Sequence, residues 1–387
     1  MFSTAPWHAP HWFRRQHFSR ILADSGWKVF YINPRTTIIE HIRKQGVRAL
    51  NPWMHRSSLE YPLQHHRLAL YTPSSAWPFY VRGKWSSRAC RIATRKTIHR
   101  AARRFFLGEP YLQVLYNPCD IFLTRKDLPC VYEIVDKFSA YPEFSRMGAY
   151  IEACHEKLCH QSAAIIATTP SLLPERDVEE RTHFIPNGVD TSLFFDRSGG
   201  AGPDDLAQIP PPRAVYAGAL FDWFDFDLLR EVATLRSGIN FVLLGFHNKP
   251  LPPLPPNVHY LGQKRQSELP SYFNRSDLGI IPFRVNELTR HVNPLKFYEY
   301  AASDLPCVSI PMIPLEKFVR PGVLSLNDTA ESFARGLDDV MAAKKDAAAI
   351  RRDIAESHDW RSLAVQFENI LSRIMRAHHS QIENNTQ

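Results

Sequence analysis

Two rhythms of hydrophobic and polar positions run along the chain. Short apolar runs bounded by Gly, Pro or Asn predict buried strands. Stretches with apolar residues three and four apart predict amphipathic helices. Residues 12–23 have helical spacing and stop before Gly26, a suitable residue just past a helix end. Residues 27–32 then predict a strand closed by Asn33-Pro34. Residues 4–8 are too short to judge, and residues 35–64 show little regularity. Further strands are predicted at 67–71, 112–116, 130–135, 164–167 and 182–185, with a basic helix within 82–104 and another helix over 145–161. The second half repeats the alternation. It has strands at 214–217, 241–245, 258–262, 278–283 and 305–310, and helices at 225–235, 266–274, 328–344 and 359–375. Two α/β halves of this kind predict two doubly wound domains with a cleft between them.

One stretch carries more than pattern. Asn293-Pro294-Leu295-Lys296-Phe297-Tyr298-Glu299 lies between the strands at 278–283 and 305–310. Pro294 suits a first helical turn and Asn293 suits the N-cap before it. A helix start at the C-terminal end of a parallel strand presents unpaired N–H groups and the positive dipole end, which favour a phosphate. Lys296 adds a full charge in that first turn. Glu299, at i+3 on the same face, can accept from two neighbouring hydroxyls, as on a ribose. Spacing alone equally allows an ordinary surface pair worth a few tenths of a kcal/mol.

Charge changes the picture in the first half. Residues 1–110 hold 19 Lys/Arg against 4 Asp/Glu, whereas the rest of the chain holds 28 against 35. The excess peaks at 82–104, where Lys84, Arg88, Arg91 and Arg95 form a stripe at helical spacing. Such a helix fits an anionic membrane surface or an anionic acceptor, and less well nucleic acid. No run of 18 apolar residues or apolar leader core is present, and the 6 cysteines lack a framework spacing, so a reducing cytosol is expected.

The combination of Ile185-Pro186-Asn187-Gly188-Val189-Asp190, Ala217-Gly218-Ala219-Leu220, Asp277-Leu278-Gly279-Ile280-Ile281-Pro282-Phe283 and the 293–309 segment resembles the GT-B glycosyltransferases of group 1, or family 4. Residues 12–34 and 217–229 resemble its branch for exopolysaccharide, capsule or teichuronic-acid assembly. The resemblance spans both halves and is weakest over 30–110.

It implies the GT-B fold: an acceptor-binding domain over 1–195, a linker over 196–213, a nucleotide-sugar domain over 214–358, and a C-terminal segment over 359–387 that packs back on the first domain before a polar tail. It implies transfer from a nucleotide-diphosphate sugar, UDP-linked by preference, to a lipid-linked or polysaccharide acceptor, without metal or other cofactor. The site would be cytoplasmic, at the inner face of the plasma membrane. Pro294, Leu295 and Lys296 would then meet donor phosphates, Glu299 the ribose or sugar, and Gly218 the phosphates through bare backbone. Arg284 and Asn286 are expected near donor phosphate or base. Asp136, after the strand at 130–135, resembles the base aspartate of xanthan-type glucuronosyltransferases, with Glu133 as the alternative. His8, His11, Arg14 and Arg15 are candidates for the acceptor side, and Arg88, Arg91 and Arg95 for acceptor or membrane.

Some family features are missing. The family's first glutamate, eight residues before Glu299, is His291 here, so the anomeric outcome is not legible; Asp304 stands where Gly is usual. Asp225-Phe226-Asp227 matches a metal motif but sits where a helix begins, which favours Asp without a metal. Cys154-His155 and Cys159-His160 lack a second pair for a zinc site. A non-catalytic nucleotide-sugar or glycan-binding protein is the alternative from another class.

Overall fold

The computed structural model describes residues 1–34, 57–62, 65–73, 84–173, 179–195 and 202–386, without the side chains of residues 84–90, 143, 179, 385 and 386. The chain forms two units. The first comprises residues 1–167, 173–185 and 364–387; the second comprises 168–172 and 186–363.

The first unit contains α1 (Arg14–Asp24), β1 (Val29–Ile32), β2 (Ser58–Glu60), β3 (Leu68–Thr72), α2 (Lys84–Phe105), β4 (Gln113–Leu115), β5 (Cys130–Ile134), α3 (Gly148–Gln161), β6 (Ala164–Ala167) and β7 (Thr182–Phe184). Gly26 takes φ +103° just past α1, the left-handed stop that its sequence position predicts. Strands β4 to β7 pair in parallel in sequence order, and β3 lies between β1 and β2. Phe2 links the two ladders by bridging both Ile32 and Leu115. Phe2 therefore supplies a central rung, whereas residues 4–8, too short to judge from sequence, form no strand. Taking that rung as first, the parallel strands follow the order 3-2-1-4-5-6-7, that of a dinucleotide-binding sheet with one strand added. The C-terminal helix, Trp360–Thr386, contributes Phe367 against Phe18 at 4.8 Å and Glu368 as acceptor for Trp27 Nε1 at 2.9 Å. It continues through the segment expected to fray, because residues 376–386 contain no Gly or Pro to stop it.

The second unit contains α4 (Thr191–Phe194), α5 (Asp204–Ala207), β8 (Arg213–Ala217), α6 (Phe226–Leu235), β9 (Asn240–Leu244), β10 (Val258–Tyr260), α7 (Leu269–Phe273), β11 (Leu278–Ile281), α8 (Glu287–Arg290), α9 (Leu295–Ala302), β12 (Cys307–Ser309), β13 (Leu324–Leu326), α10 (Ala330–Ala342) and α11 (Ala348–Ser357). Its six strands are all parallel in the order β10-β9-β8-β11-β12-β13, again 3-2-1-4-5-6. Both faces are covered by apolar clusters, one containing Val215, Phe297 and Tyr300, the other Tyr216, Phe241 and Leu337. Burial on both faces explains why these strands read as unbroken apolar runs.

Two boundaries differ from expectation. The first unit yields to the second at residues 185/186 rather than 195, and the described part of the expected linker is not free. Leu206 and Ile209 are buried in the second unit's core, which anchors residues 202–213 there.

Candidate functional site

Strand order reverses between β8 and β11, and open α/β sheets bind ligands beyond the strand ends at such a point. Gly218 directly follows β8, and its N–H donates to Leu244 O at 2.9 Å. A side chain on Gly245, at the end of β9, would lie only 1.8 Å from Gly218 O, so bare backbone lines this edge. Helix α9 is fastened beside it. Tyr300 Oη accepts from Ala217 N–H at 3.2 Å and donates to Ile280 O at 3.4 Å. Phe297, Tyr298, Tyr300, Ala301 and Ala302 are buried, and the large side chains each contribute roughly 2–3 kcal/mol to holding the helix there.

The helix starts one residue later than expected. Pro294 is the N-cap, with ψ 125°, and the Asn293 side chain makes no capping bond. Asn293 is instead 4% exposed, with its Oδ1 lacking a hydrogen-bond partner among the described residues. Its main-chain carbonyl accepts from Asn187 Nδ2 at 2.6 Å. This bond gives the Asn187-Gly188 segment a role that sequence reasoning missed: it fixes the approach to α9. Gly188, whose φ is not positive, is needed because a Cβ would meet His358 O at 2.3 Å.

On α9, Lys296 Nζ donates to Glu299 Oε2 at 2.5 Å. This is not the solvated pair that spacing equally allowed, since the side chains are 19% and 5% exposed. A pair so far withdrawn from water bears a desolvation cost that a surface pair does not. Leu295 is half-buried beside it. Arg284 lies across the sheet edge at 3.6 Å from Asp227 and 4.0 Å from Asp225. Asn286 is occupied structurally, its Oδ1 accepting from Thr289 N–H at 3.0 Å to cap α8. His291 pairs with Glu287 at 3.5 Å. The unusual Asp304 adopts φ +58° and accepts from Arg351 Nε at 3.0 Å; the fully buried Arg351 supplies the reason a non-glycine residue is held there.

In the first unit Asp136 follows β5 by two residues, at the carboxyl end of its sheet. It is half-buried and accepts from Tyr141 Oη at 3.2 Å. Burial raises its pKa to about 6, against the opposing pull of the Arg15 guanidinium, the Tyr141 hydrogen bond and Arg14. Glu133 is different: it is fully buried and accepts from Arg14 Nε at 2.5 Å. This pairing separates the two candidate carboxylates and corrects the acceptor-lining reading of Arg14, which is 2% exposed and also donates to Ile185 O at 3.0 Å. Arg15 is buried over the rings of Phe13 and Tyr116, at 5.5 and 5.2 Å, so it acts on this site through its field rather than from the surface.

His8 is exposed and sits 3.6 Å from Glu60. His11 is half-buried. Arg91 stacks on Phe122 at 4.3 Å, Arg95 is exposed, and the Arg88 side chain lies outside the described ones. Asp225 caps α6 by accepting from Asp227 and Leu228 N–H at 3.0 and 3.1 Å. His155 bonds Tyr132 Oη at 3.0 Å, and Cys154 and Cys159 are fully packed rather than half-buried. Among the described residues no group of three or more His, Cys, Asp or Glu could hold a metal ion, and no helix is long and apolar enough to cross a membrane.

Comparison with known proteins agrees with this arrangement. Residues 211–343 match the family model for glycosyl transferases of group 1. The chain is 24% identical over 277 residues to TuaH of Bacillus subtilis, a glycosyltransferase assigned by name to teichuronic acid biosynthesis, covering 67% of this chain and 68% of the relative. Sucrose-phosphate synthase from Thermosynechococcus elongatus superposes with TM-score 0.68 at 15% identity, covering 97% of this chain and 98% of that one. Anabaena HepE in complex with UDP-glucose gives TM-score 0.53 at 14% identity, over 71% and 82% of the two chains. The fold is GT-B.

Proposed function

We propose that this chain, a GT-B glycosyltransferase of group 1 type, transfers a sugar from a UDP-linked donor to a lipid-linked or polysaccharide acceptor in cell-surface glycan synthesis. The observation that carries the donor reading is the withdrawn Lys296–Glu299 pair at the start of α9, beside the bare backbone of Gly218. A lysine and a carboxylate held together at this edge are poised to separate onto a diphosphate and a ribose. Asn293 Oδ1, buried without a partner among the described residues, offers an acceptor for one more donor hydroxyl. HepE, whose structure holds UDP-glucose, supports UDP as the nucleotide, and TuaH supports a cell-surface glycan as the product class.

The second unit would hold the donor and the first would supply the acceptor hydroxyl and its base. Asp136, with a pKa raised to about 6, is ionised at neutral pH yet basic enough to take a proton as the hydroxyl attacks the anomeric carbon. Lys296 and the α9 start would stabilise the departing diphosphate, an electrostatic role that dominates many transfers. The cationic α2 would bring the enzyme to an anionic membrane surface at the inner face of the plasma membrane.

Thermal-shift titration with UDP and GDP, on wild type and Lys296→Ala, tests the donor site. UDP should stabilise the wild type selectively and lose its effect in the variant. No shift with either nucleotide at millimolar concentration would sink this reading.

A further inference from the structure

In the first unit, a cavity of about 300 Å³ is lined by Arg95, Lys96, His99, Arg100, Arg103 and Arg125. Lys96, Arg100 and Arg103 recur at i, i+4 and i+7, which places them on one face of α2. This face differs from the 84–88–91–95 stripe noted in the sequence. Arg95, Lys96, Arg100 and Arg103 make no ion pair among the described residues. Arg125 pairs with Asp127, its Nε donating to Oδ1 at 2.8 Å. Among the described residues, therefore, no carboxylate pairs with the helical part of the wall. Four like charges around one concavity repel one another and focus a positive potential into it.

The cavity is built rather than incidental. His99 is 7% exposed, with one ring nitrogen at 2.7 Å from Leu123 O and the other at 3.0 Å from Tyr111 Oη, which clamps α2 to the chain before β5. Gln113, the first residue of β4, holds the Arg125 main chain by donating to its carbonyl at 2.9 Å and accepting its N–H at 2.8 Å. The cavity thus opens where β4 begins. Asp136 follows the opposite, carboxyl end of the sheet.

We propose that this cavity is a binding site for a ligand bearing a diphosphate or two adjacent phosphates, separate from the donor site. Arginine forks and a lysine charge recognise phosphate oxygens by charge-assisted hydrogen bonds. The volume is at the lower end of small-molecule sites, which suits a phosphorylated head group. The membrane reading of α2 asks only for an anionic surface, whereas this site asks for a discrete phosphate group. The proposal does not depend on the transfer reaction.

The test is calorimetric titration of the full chain with inorganic pyrophosphate, paired with co-sedimentation on phosphatidylcholine vesicles with and without phosphatidylglycerol. Saturable pyrophosphate binding should weaken by about tenfold or more in Arg100→Ala/Arg103→Ala. Arg104→Ala, which removes one charge from the same helical turn outside the cavity and so compares with Arg100→Ala alone, should stay within about twofold of wild type, and the binding lost in Arg100→Ala/Arg103→Ala should persist in Lys296→Ala. If the double alanine variant does not fold, Arg100→Ala alone gives the same reading at smaller amplitude. Parallel loss on anionic vesicles names a lipid head group as the source of the phosphate; pyrophosphate binding without vesicle binding names a soluble one. Absence of saturable binding overturns the proposal, as does equal weakening by Arg104→Ala, which would reduce the effect to general charge. Loss in Lys296→Ala alone would put the anion in the donor site and also overturn it.

Discussion

Replacing Lys296 with Met removes the charge while keeping an unbranched apolar side chain. Glu299 then stays 4% exposed with no cation at its Oε2. Uncoupling a buried pair in this way costs about 3–5 kcal/mol, against about 0.2–0.5 kcal/mol for a solvated i, i+3 pair. Because the lysine side chain is 19% exposed, the lower end of the buried range is expected, about 3 kcal/mol. For a unit of this size that lowers Tm by roughly 6–12 °C. Glu299→Gln in the Lys296→Met background removes the stranded carboxylate and should recover most of the loss. The assay is urea unfolding and differential scanning calorimetry of wild type, both single variants and the double, read as a double-mutant cycle. A Lys296→Met cost below about 0.5 kcal/mol would refute the reasoning: the pair would then be a solvated one, and its role in the donor site would lose its physical basis. The same variants separate stability from binding, since the double should regain Tm but still fail to respond to UDP.

Asp136→Asn should lower transfer by about 10²–10⁴-fold while leaving the UDP-induced thermal shift intact; loss of both together would move Asp136 out of the base role. In the wild type, transfer should fall as pH drops through about 6, where the base becomes protonated. The same group has a stability signature. Its folded pKa is raised above 3.8, so the stability it contributes is present below about pH 4 and lost as pH rises through about 6. Asp136→Asn should therefore unfold later than wild type at pH 7, by up to about 3 kcal/mol, with the gap closing towards pH 4 in pH-dependent urea unfolding. Asp304→Gly sets two effects against each other. Glycine relieves a left-handed backbone by about 1 kcal/mol, but Arg351, fully buried, loses its carboxylate at a cost of about 3 kcal/mol. A net loss near 2 kcal/mol in urea unfolding is expected, and a gain would show that backbone strain dominates. Glu133→Gln should destabilise by about 3–5 kcal/mol, because it leaves Arg14 charged and buried without its partner.

Much of this architecture is legible in the chain because parallel strands covered on both faces need continuous apolar segments. Residues 278–281 and 130–134 could be read on that ground alone. Helix α9 was legible from Pro294 and the apolar face behind it, though only to within one residue, since a proline can serve either as cap or as first helical residue. What the sequence could not disclose were contacts between segments far apart in it. Arg14 and Glu133 are 119 residues apart, and local pattern makes the first an exposed helical arginine and the second a strand residue. Asn187 and Asn293 are 106 apart, and the local cap role that suits Asn293 in the sequence gives way to this long-range bond. The ambiguity of Lys296 and Glu299 has the same origin. Spacing gives their separation along the helix, but only the packing of Tyr298 and Tyr300 behind them decides how much water the pair retains. That is the quantity separating an ordinary ion pair from a site held ready for a ligand. The glutamate that the family places at residue 291 is a histidine here, joined to Glu287 at 3.5 Å. The carboxylate on α8 is that of Glu287, four residues earlier and exposed, and none stands at the family position itself.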